Sequence, residues 1–244
     1  MAQDYRSQLF ASYHSTHVAY LDPDDQLKID WFQKYAKHNY LKHLNKEDKS
    51  HTEVLEIGCN KGYLLAALSS FGFSKLYGVD LSSDDVDQAK LLVPNAEIAC
   101  QDAFDYLSSN QNKFDVIVLK AVLEHIQKDD IITFLGKIKQ ALKTGGIVLI
   151  DVPNMDWLFA SHERYMDFTH EVGFTQESLR QVMSQIFSDI DVIPVDNILA
   201  YSWTVNMKKK MARFILGRLL NWADPEGGSS PIWARSIVGV GKNE

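Results

Sequence analysis

Three carboxylates recur in one setting along this chain. Glu56 in EVLEIG, Asp80 in KLYGVDLS and Asp102 in AEIACQDAF each stand at or near the end of a short apolar run. A carboxylate there can accept hydrogen bonds from hydroxyls and amines, or answer a cation. It repels a phosphate. Two glycines follow the first acid, in Gly58-Cys59-Asn60-Lys61-Gly62, and glycine lets a ligand approach the backbone closely. A triphosphate loop requires GxxxxGK[ST], but these glycines are too close together and Tyr63 replaces the lysine. A dinucleotide loop requires GxGxxG, and that pattern is absent as well. A second set of reactive side chains lies further on. Glu124 and His125 follow FDVIVLKAVL, and HERYMDFTHE brings His162, Glu163, Arg164, Asp167, His170 and Glu171 into one short stretch. An imidazole is the side chain best suited near neutral pH to take a proton from a hydroxyl.

The elements that must position these groups are short strands alternating with helices. EVLEI (53–57), KLYGVDL (75–81), AEIACQD (96–102), FDVIVLK (114–120) and GIVLIDVP (146–153) have strand character. Between them, YLLAALSSFG reads as a helix ended by Gly72, and SSDDVDQAKLL as one opened by Ser82 with Asp85 three residues on. DDIITFLGKIKQALK carries apolar residues at 131, 134, 135, 138 and 142 on one face and is expected to end at Gly145 and Gly146. Continuous Val/Ile/Leu runs belong to strands covered on both faces, and the alternation gives right-handed βαβ units. The fold class is therefore α/β, a doubly wound Rossmann-like sheet, which binds ligands at the carboxyl ends of its strands. All three acids fall there.

The chain divides as one domain over 1–244. Residues 1–50 form a helical cap whose segment 25–44, with Trp31, Phe32, Tyr35 and Leu41, is expected over the edge of the cleft. Residues 51–153 form the cofactor-binding core, 154–175 a lid over the acceptor site, and 197–232 a helical insertion between two late strands, 188–195 and 235–241. A net charge of −7 disfavours a nucleic-acid partner. The two cysteines, Cys59 and Cys100, have neither disulfide-framework nor zinc spacing. No secretory signal or membrane span is readable, so a cytoplasmic location is expected.

Glu56 selects among ligands. It disfavours a pyrophosphate and favours a molecule bearing an ammonium and a sulfonium, as S-adenosylmethionine does. Asp80, about 20 residues past the glycine turn, is placed for two ribose hydroxyls. Asp102 is placed for an adenine amine. ExGxxxG at 56–62, VDLS at 79–82, QDAFDYL at 101–107, FDVIVLKAVLEHI at 114–126 and LKTGGIVLIDVPN at 142–154 together resemble the class I S-adenosylmethionine-dependent methyltransferases. The resemblance implies a seven-stranded sheet whose last strand is antiparallel. It assigns Glu56, Gly58 and Gly62 to the methionine end, Asp80 to the ribose, and Asp102 and Ala103 to the adenine, with Cys59, Asn60 and Leu81 also in the cofactor site. The family's usual middle glycine is Asn60 here, and asparagine tolerates a left-handed backbone. Lys120, also on the cofactor side, stands where relatives often carry a smaller or acidic residue.

RYxDFTHExxFTxxSL (164–179) is similar to a segment of methyltransferases of bacterial surface-polysaccharide and other glycan biosynthesis. That resemblance implies a sugar hydroxyl as acceptor. His170 is expected either to take its proton, as imidazole chemistry allows, or to hydrogen-bond the loop to the sheet, with Asp167 and Glu171 orienting the imidazole or binding sugar hydroxyls. His125 is expected to line the methionine pocket or substrate site. Arg164 is expected to pair with an acidic substrate group or a lid carboxylate. Tyr13, His14 and His17 could border the acceptor pocket. No metal is expected, because the acids and histidines lack a clear ligand pattern. Two rival readings stand: an O- or N-methyltransferase of a small aromatic or quinone-like metabolite, and a non-catalytic partner protein, to which Asn60 and Lys120 point. In TVNMKKKMARFILGRLLNW (204–222), apolar residues at 207, 211, 214, 215, 219 and 222 suggest one stripe, with lysines and arginines elsewhere. Such a helix docks on its own domain or a second subunit, giving a homodimer, or lies peripherally on an anionic membrane surface.

Overall fold

The computed structural model describes Leu9 and residues 25–44, 48–195, 203–223 and 234–244. Tyr13, His14 and His17 lie outside them. Seven strands form one sheet in the order β3-β2-β1-β4-β5-β7-β6. They are β1 (Glu53–Ile57), β2 (Lys75–Asp80), β3 (Glu97–Cys100), β4 (Phe114–Lys120), β5 (Leu142–Pro153), β6 (Asp189–Pro194) and β7 (Ser236–Lys242). β1 to β5 are mutually parallel, and β7 runs antiparallel to both β5 and β6. The strand order reverses between β1 and β4, which opens a crevice at their carboxyl ends.

Helices cover both faces, as the continuous apolar strands require. Along β1 and β4, Val54, Val116 and Val118 pack with α1 (Asp25–Asn39) and α2 (Tyr63–Ser70). Leu55, Ile57, Ile117 and Leu119 point the other way, toward α4 (Ala103–Ser109), α5 (Ile131–Ala141) and α7 (Gln176–Met183). This two-residue alternation is the pleat of a strand buried on both sides. α3 (Ser83–Leu92) begins where the Ser82 hydroxyl accepts from the Asp85 N–H at 3.3 Å. α5 buries Ile131, Phe134, Leu135 and Ile138, one helical face.

Two expectations change. α5 ends at Ala141, not at the glycines, because Leu142 turns extended, is buried, and pairs with Phe114. The register then shifts before Ile147 pairs with Val116. Gly145 adopts a φ of 74° and donates to the Asn243 carbonyl at 2.6 Å, so the glycines form an irregularity inside the strand edge. The insertion is indeed a helix, α8 (Trp203–Ala223). Its stripe is not clean, however: at 3.6 residues per turn, Lys208 and Arg218 fall within the arc of Met207, Met211, Phe214, Ile215, Leu219 and Trp222. Those apolar side chains are all exposed. No helix among the described residues is long and apolar enough to cross a membrane.

The stretch after β5 is tied down rather than loose. Asn154, fully buried, donates to the Ala234 carbonyl at 2.9 Å, and it bridges to Phe174. A short helix, α6 (Ala160–Tyr165), lies between. Its Glu163 is buried and paired with Arg235 at 2.8 Å.

Candidate active site

A cleft of about 470 Å³ opens at the carboxyl ends of β1, β2 and β4. Its lining includes Glu56, Gly58, Cys59, Asn60, Asp80, Leu81, Asp102, Ala103, Lys120 and His125, so side chains far apart in sequence converge. Gly62 forms the far end of the glycine turn. Gly58 has a φ of 72°, and a Cβ there would lie 2.5 Å from Val122 Cγ2. Gly62 has a φ of 80°, with Ala89 Cβ 3.1 Å from the corresponding position. Between them Asn60 takes a φ of 45°, in the left-handed region that asparagine tolerates. Its N–H donates to Asp80 Oδ2 at 2.8 Å and its side chain to Asp85 Oδ2 at 3.2 Å. The loop is thus held to the end of β2.

Each acid meets a different environment. Glu56 is 5% exposed, and its Oε2 has no hydrogen-bond partner. Burial, followed by the charge of Asp80, holds its pKa well above the usual carboxylate range; the Leu65 N–H and Lys120 act in the opposite sense. Asp80 accepts from the Asn60 and Ser82 N–H groups, at 2.8 and 2.9 Å, and burial raises its pKa despite them. Asp102 is exposed and caps α4, with Oδ1 accepting from the Phe104 N–H at 2.8 Å. The Cys59 thiol is buried, which pushes its pKa up.

Several contributors carried no local sign in the sequence. Lys28 of α1 lines the cleft beside Phe32, which belongs to the segment expected there, and Tyr63 Oη donates to Asp25 at 2.5 Å, fastening α1 over it. Ala121 has a φ of 54°, rare for a residue with a Cβ, at the cleft wall. Lys120 is engaged with Asp151: its Nζ lies 3.6 Å from Asp151 Oδ2 and 4.6 Å from the centre of the Tyr35 ring. The same buried Oδ2 accepts from Tyr35 Oη and, at 2.5 Å, from Tyr40 Oη. Lys120 is therefore the counter-charge of a buried acid as well as a cleft residue. Tyr35 and Tyr40 both have hydroxyl pKa values raised by burial and then by Asp151.

Beside the cleft, a turn at Leu123–His125 meets the segment 163–172. The Glu124 carbonyl accepts from the N–H groups of Glu171 and Val172 at 2.8 and 3.1 Å. Arg164 donates to the carbonyls of His170 and Glu171 at 2.6 and 3.0 Å, so its guanidinium shapes the backbone of that segment. His170 Nδ1 lies 2.9 Å from the Glu163 carbonyl, which can only accept; that nitrogen must carry hydrogen. His125 Nδ1 lies 2.8 Å from Thr169 Oγ1, whose hydroxyl donates to Asp167 Oδ1 at 2.7 Å. His125 Nδ1 is then also a donor. Asp167, buried, thus acts on His125 through Thr169. The two imidazoles stand with centres 4.7 Å apart at 66°. Glu124 is 2% exposed, neither of its carboxylate oxygens has a hydrogen-bond partner, and burial pushes its pKa up to about 8. Glu124, His125 and His170 bring one ligand atom each to within 4.8 Å of one another.

Residues 30–186 match a family described as a methyltransferase domain. Among curated proteins, a tRNA U34 carboxymethyltransferase of Campylobacter curvus is 33% identical over 137 residues, 54% of this chain and 44% of that one. A ubiquinone biosynthesis O-methyltransferase of Bradyrhizobium is 28% identical over 110 residues, 43% of this chain and 41% of that one. The chain thus covers less than half the length of these relatives. Among solved structures, a SAM-dependent methyltransferase from Archaeoglobus fulgidus aligns with a TM-score of 0.63 at 18% identity, over 98% of this chain and 100% of the other.

Proposed function

Because the chain belongs to the methyltransferase-domain family, we propose that it transfers a methyl group from S-adenosylmethionine to a hydroxyl oxygen. The cleft fits that cofactor. Glu56 offers a buried, unpartnered carboxylate oxygen to an ammonium, and Gly58, whose missing Cβ lets Val122 pack against it, keeps the backbone of the turn at the cleft lining. Asp80 receives the ribose hydroxyls and Asp102 with Ala103 borders the adenine. Bound there, the cofactor supplies a methyl group on a positively charged sulfur, which an oxygen lone pair can attack to leave a neutral thioether.

The paired imidazoles carry the acceptor half of the proposal. With Nδ1 of each held by Glu163 or Thr169, the basic nitrogen of each ring is Nε2. The acceptor hydroxyl meets that pair, and its proton passes to His170 Nε2 as the O–C bond forms. This kind of proton transfer contributes about 10²–10⁴-fold in rate.

A sugar hydroxyl is the leading acceptor, supported by the part-exposed polar residues His170 and Glu171. The names of the relatives above concern a tRNA uridine and ubiquinone rather than a glycan. A phenolic hydroxyl is the second reading, supported by the ubiquinone relative and by the exposed Tyr165 and Phe168 on the lid. The non-catalytic reading loses its two supports, since Asn60 completes the loop and Lys120 neutralises Asp151. The test is transfer of labelled methyl to matched panels of free and nucleotide-linked sugars and of catechols. Label in sugars alone supports the first reading, and label in catechols alone supports the second. Label in neither panel contradicts the hydroxyl assignment.

A further inference from the structure

We propose that Glu124, His125 and His170 bind a divalent transition-metal cation that receives the acceptor hydroxyl; the catalytic part of this proposal rests on the hydroxyl reading above. The three side chains already bring their ligand atoms within 4.8 Å of one another. A modest closure would reach bonds of about 2.1 Å, typical for imidazole nitrogen on zinc. The set, two nitrogens and one carboxylate, suits Zn²⁺, Mn²⁺ or Fe²⁺ and leaves positions open for a substrate oxygen.

Two independent observations support a cation. The Glu124 carboxyl group is 2% exposed and both of its oxygens lack a hydrogen-bond partner, an unfavourable arrangement for a buried polar group that a bound ligand would relieve. Each imidazole also has its Nδ1 held by an oxygen, His125 on Thr169 and His170 on Glu163. Metal-binding histidines are commonly held by one ring nitrogen in this way. Sequence spacing concealed the set because the turn after β4 and the lid meet only in the fold, through the Glu171 and Val172 N–H bonds to the Glu124 carbonyl.

The cation changes which group withdraws the proton. The acceptor oxygen coordinates the ion as a Lewis base, which weakens its O–H bond. The proton leaves to solvent water, the O–C bond forms as the C–S bond breaks, and sulfur keeps the electron pair. The cation ends unchanged, so no oxidant or reductant is needed.

The test is a titration of the metal-stripped full chain with Co²⁺, followed by its visible spectrum, and with Zn²⁺ in competition. One Co²⁺ per chain is expected, with Glu124→Gln and His170→Ala each weakening binding by about 100-fold or more, the upper range even for residues that only orient ligands. His162→Ala, on an exposed histidine of the same lid, should bind as wild type. Thermal melts establish that each variant is folded, and the two ligand variants lie on different elements. No Co²⁺ binding by the wild type overturns the proposal. So does binding that survives in either folded ligand variant. Methyl transfer that persists after chelation yet disappears in His170→Ala would remove the cation from the reaction and leave imidazole as the base. Failure of the metal-loaded enzyme to methylate any hydroxyl would refute the hydroxyl reading, while the spectrum still decides the site.

Discussion

Replacing Glu56 with glutamine should weaken the cofactor and stabilise the empty protein together. The carboxylate is buried, one of its oxygens is unpartnered, and its pKa is raised first by burial and then by Asp80. A folded pKa above the unfolded one means that its contribution to stability is present below the unfolded pKa and lost as pH rises through the folded one. Ligand binding runs the other way, because an ammonium requires the ionised form. Below the folded pKa, binding must release a proton, so affinity rises by up to about tenfold, or 1.36 kcal/mol, per pH unit before levelling off. Glu56→Gln cannot ionise. It should lose about 1.5–3 kcal/mol of affinity once Glu56 is ionised in the wild type, roughly 10- to 150-fold. It should also show a flatter pH dependence, retaining only the share due to Asp80. Its melting temperature without ligand should exceed that of the wild type at neutral pH. Titration calorimetry with S-adenosylhomocysteine, which keeps the ammonium, and melts over the acid-to-neutral range measure both effects. Equal affinity in the two proteins, or a ligand-free variant that melts lower, would refute this account of Glu56.

Other changes separate the parts of the site. Asp80→Asn should weaken cofactor binding by about 1–3 kcal/mol, measured by the same titration, although the Asn60 N–H will also seek a new acceptor. Gly58→Ala puts a methyl group against Val122 in a left-handed backbone and should destabilise by about 1–3 kcal/mol or more in denaturant melts. Tyr40→Phe removes one donor from buried Asp151 and should lower stability by about 1–2 kcal/mol. Thr169→Val breaks the link from Asp167 to His125; it should lower turnover and leave cofactor affinity unchanged, which steady-state kinetics and calorimetry distinguish.

What the sequence reveals follows from how local each signal is. Glu56 and Asp80 were readable because an acid interrupts an apolar strand at a position fixed by strand length. Asp102 was readable too, although its first duty is to cap α4. Asn60 was readable as compatible with a left-handed backbone, because asparagine tolerates it better than most residues with a Cβ. Lys120 was not interpretable alone, since its partners Tyr35 and Asp151 come from α1 and β5. The lid's acids and histidines stood out by density, but their partners depend on the packing of the lid against the turn at Leu123–His125. The end of α5 was misjudged because the glycine pair resembled a helix stop, whereas burial of Leu142 against β4 ended the helix earlier.

The most direct test of the central claim is single-turnover transfer of labelled methyl from S-adenosylmethionine to the best hydroxyl acceptor, in wild type and in His170→Ala, with cofactor affinity measured on the same samples. The account predicts transfer to oxygen in the wild type and a loss of about 10²–10⁴-fold in the variant at unchanged cofactor affinity. Equal transfer rates in the two proteins would contradict it.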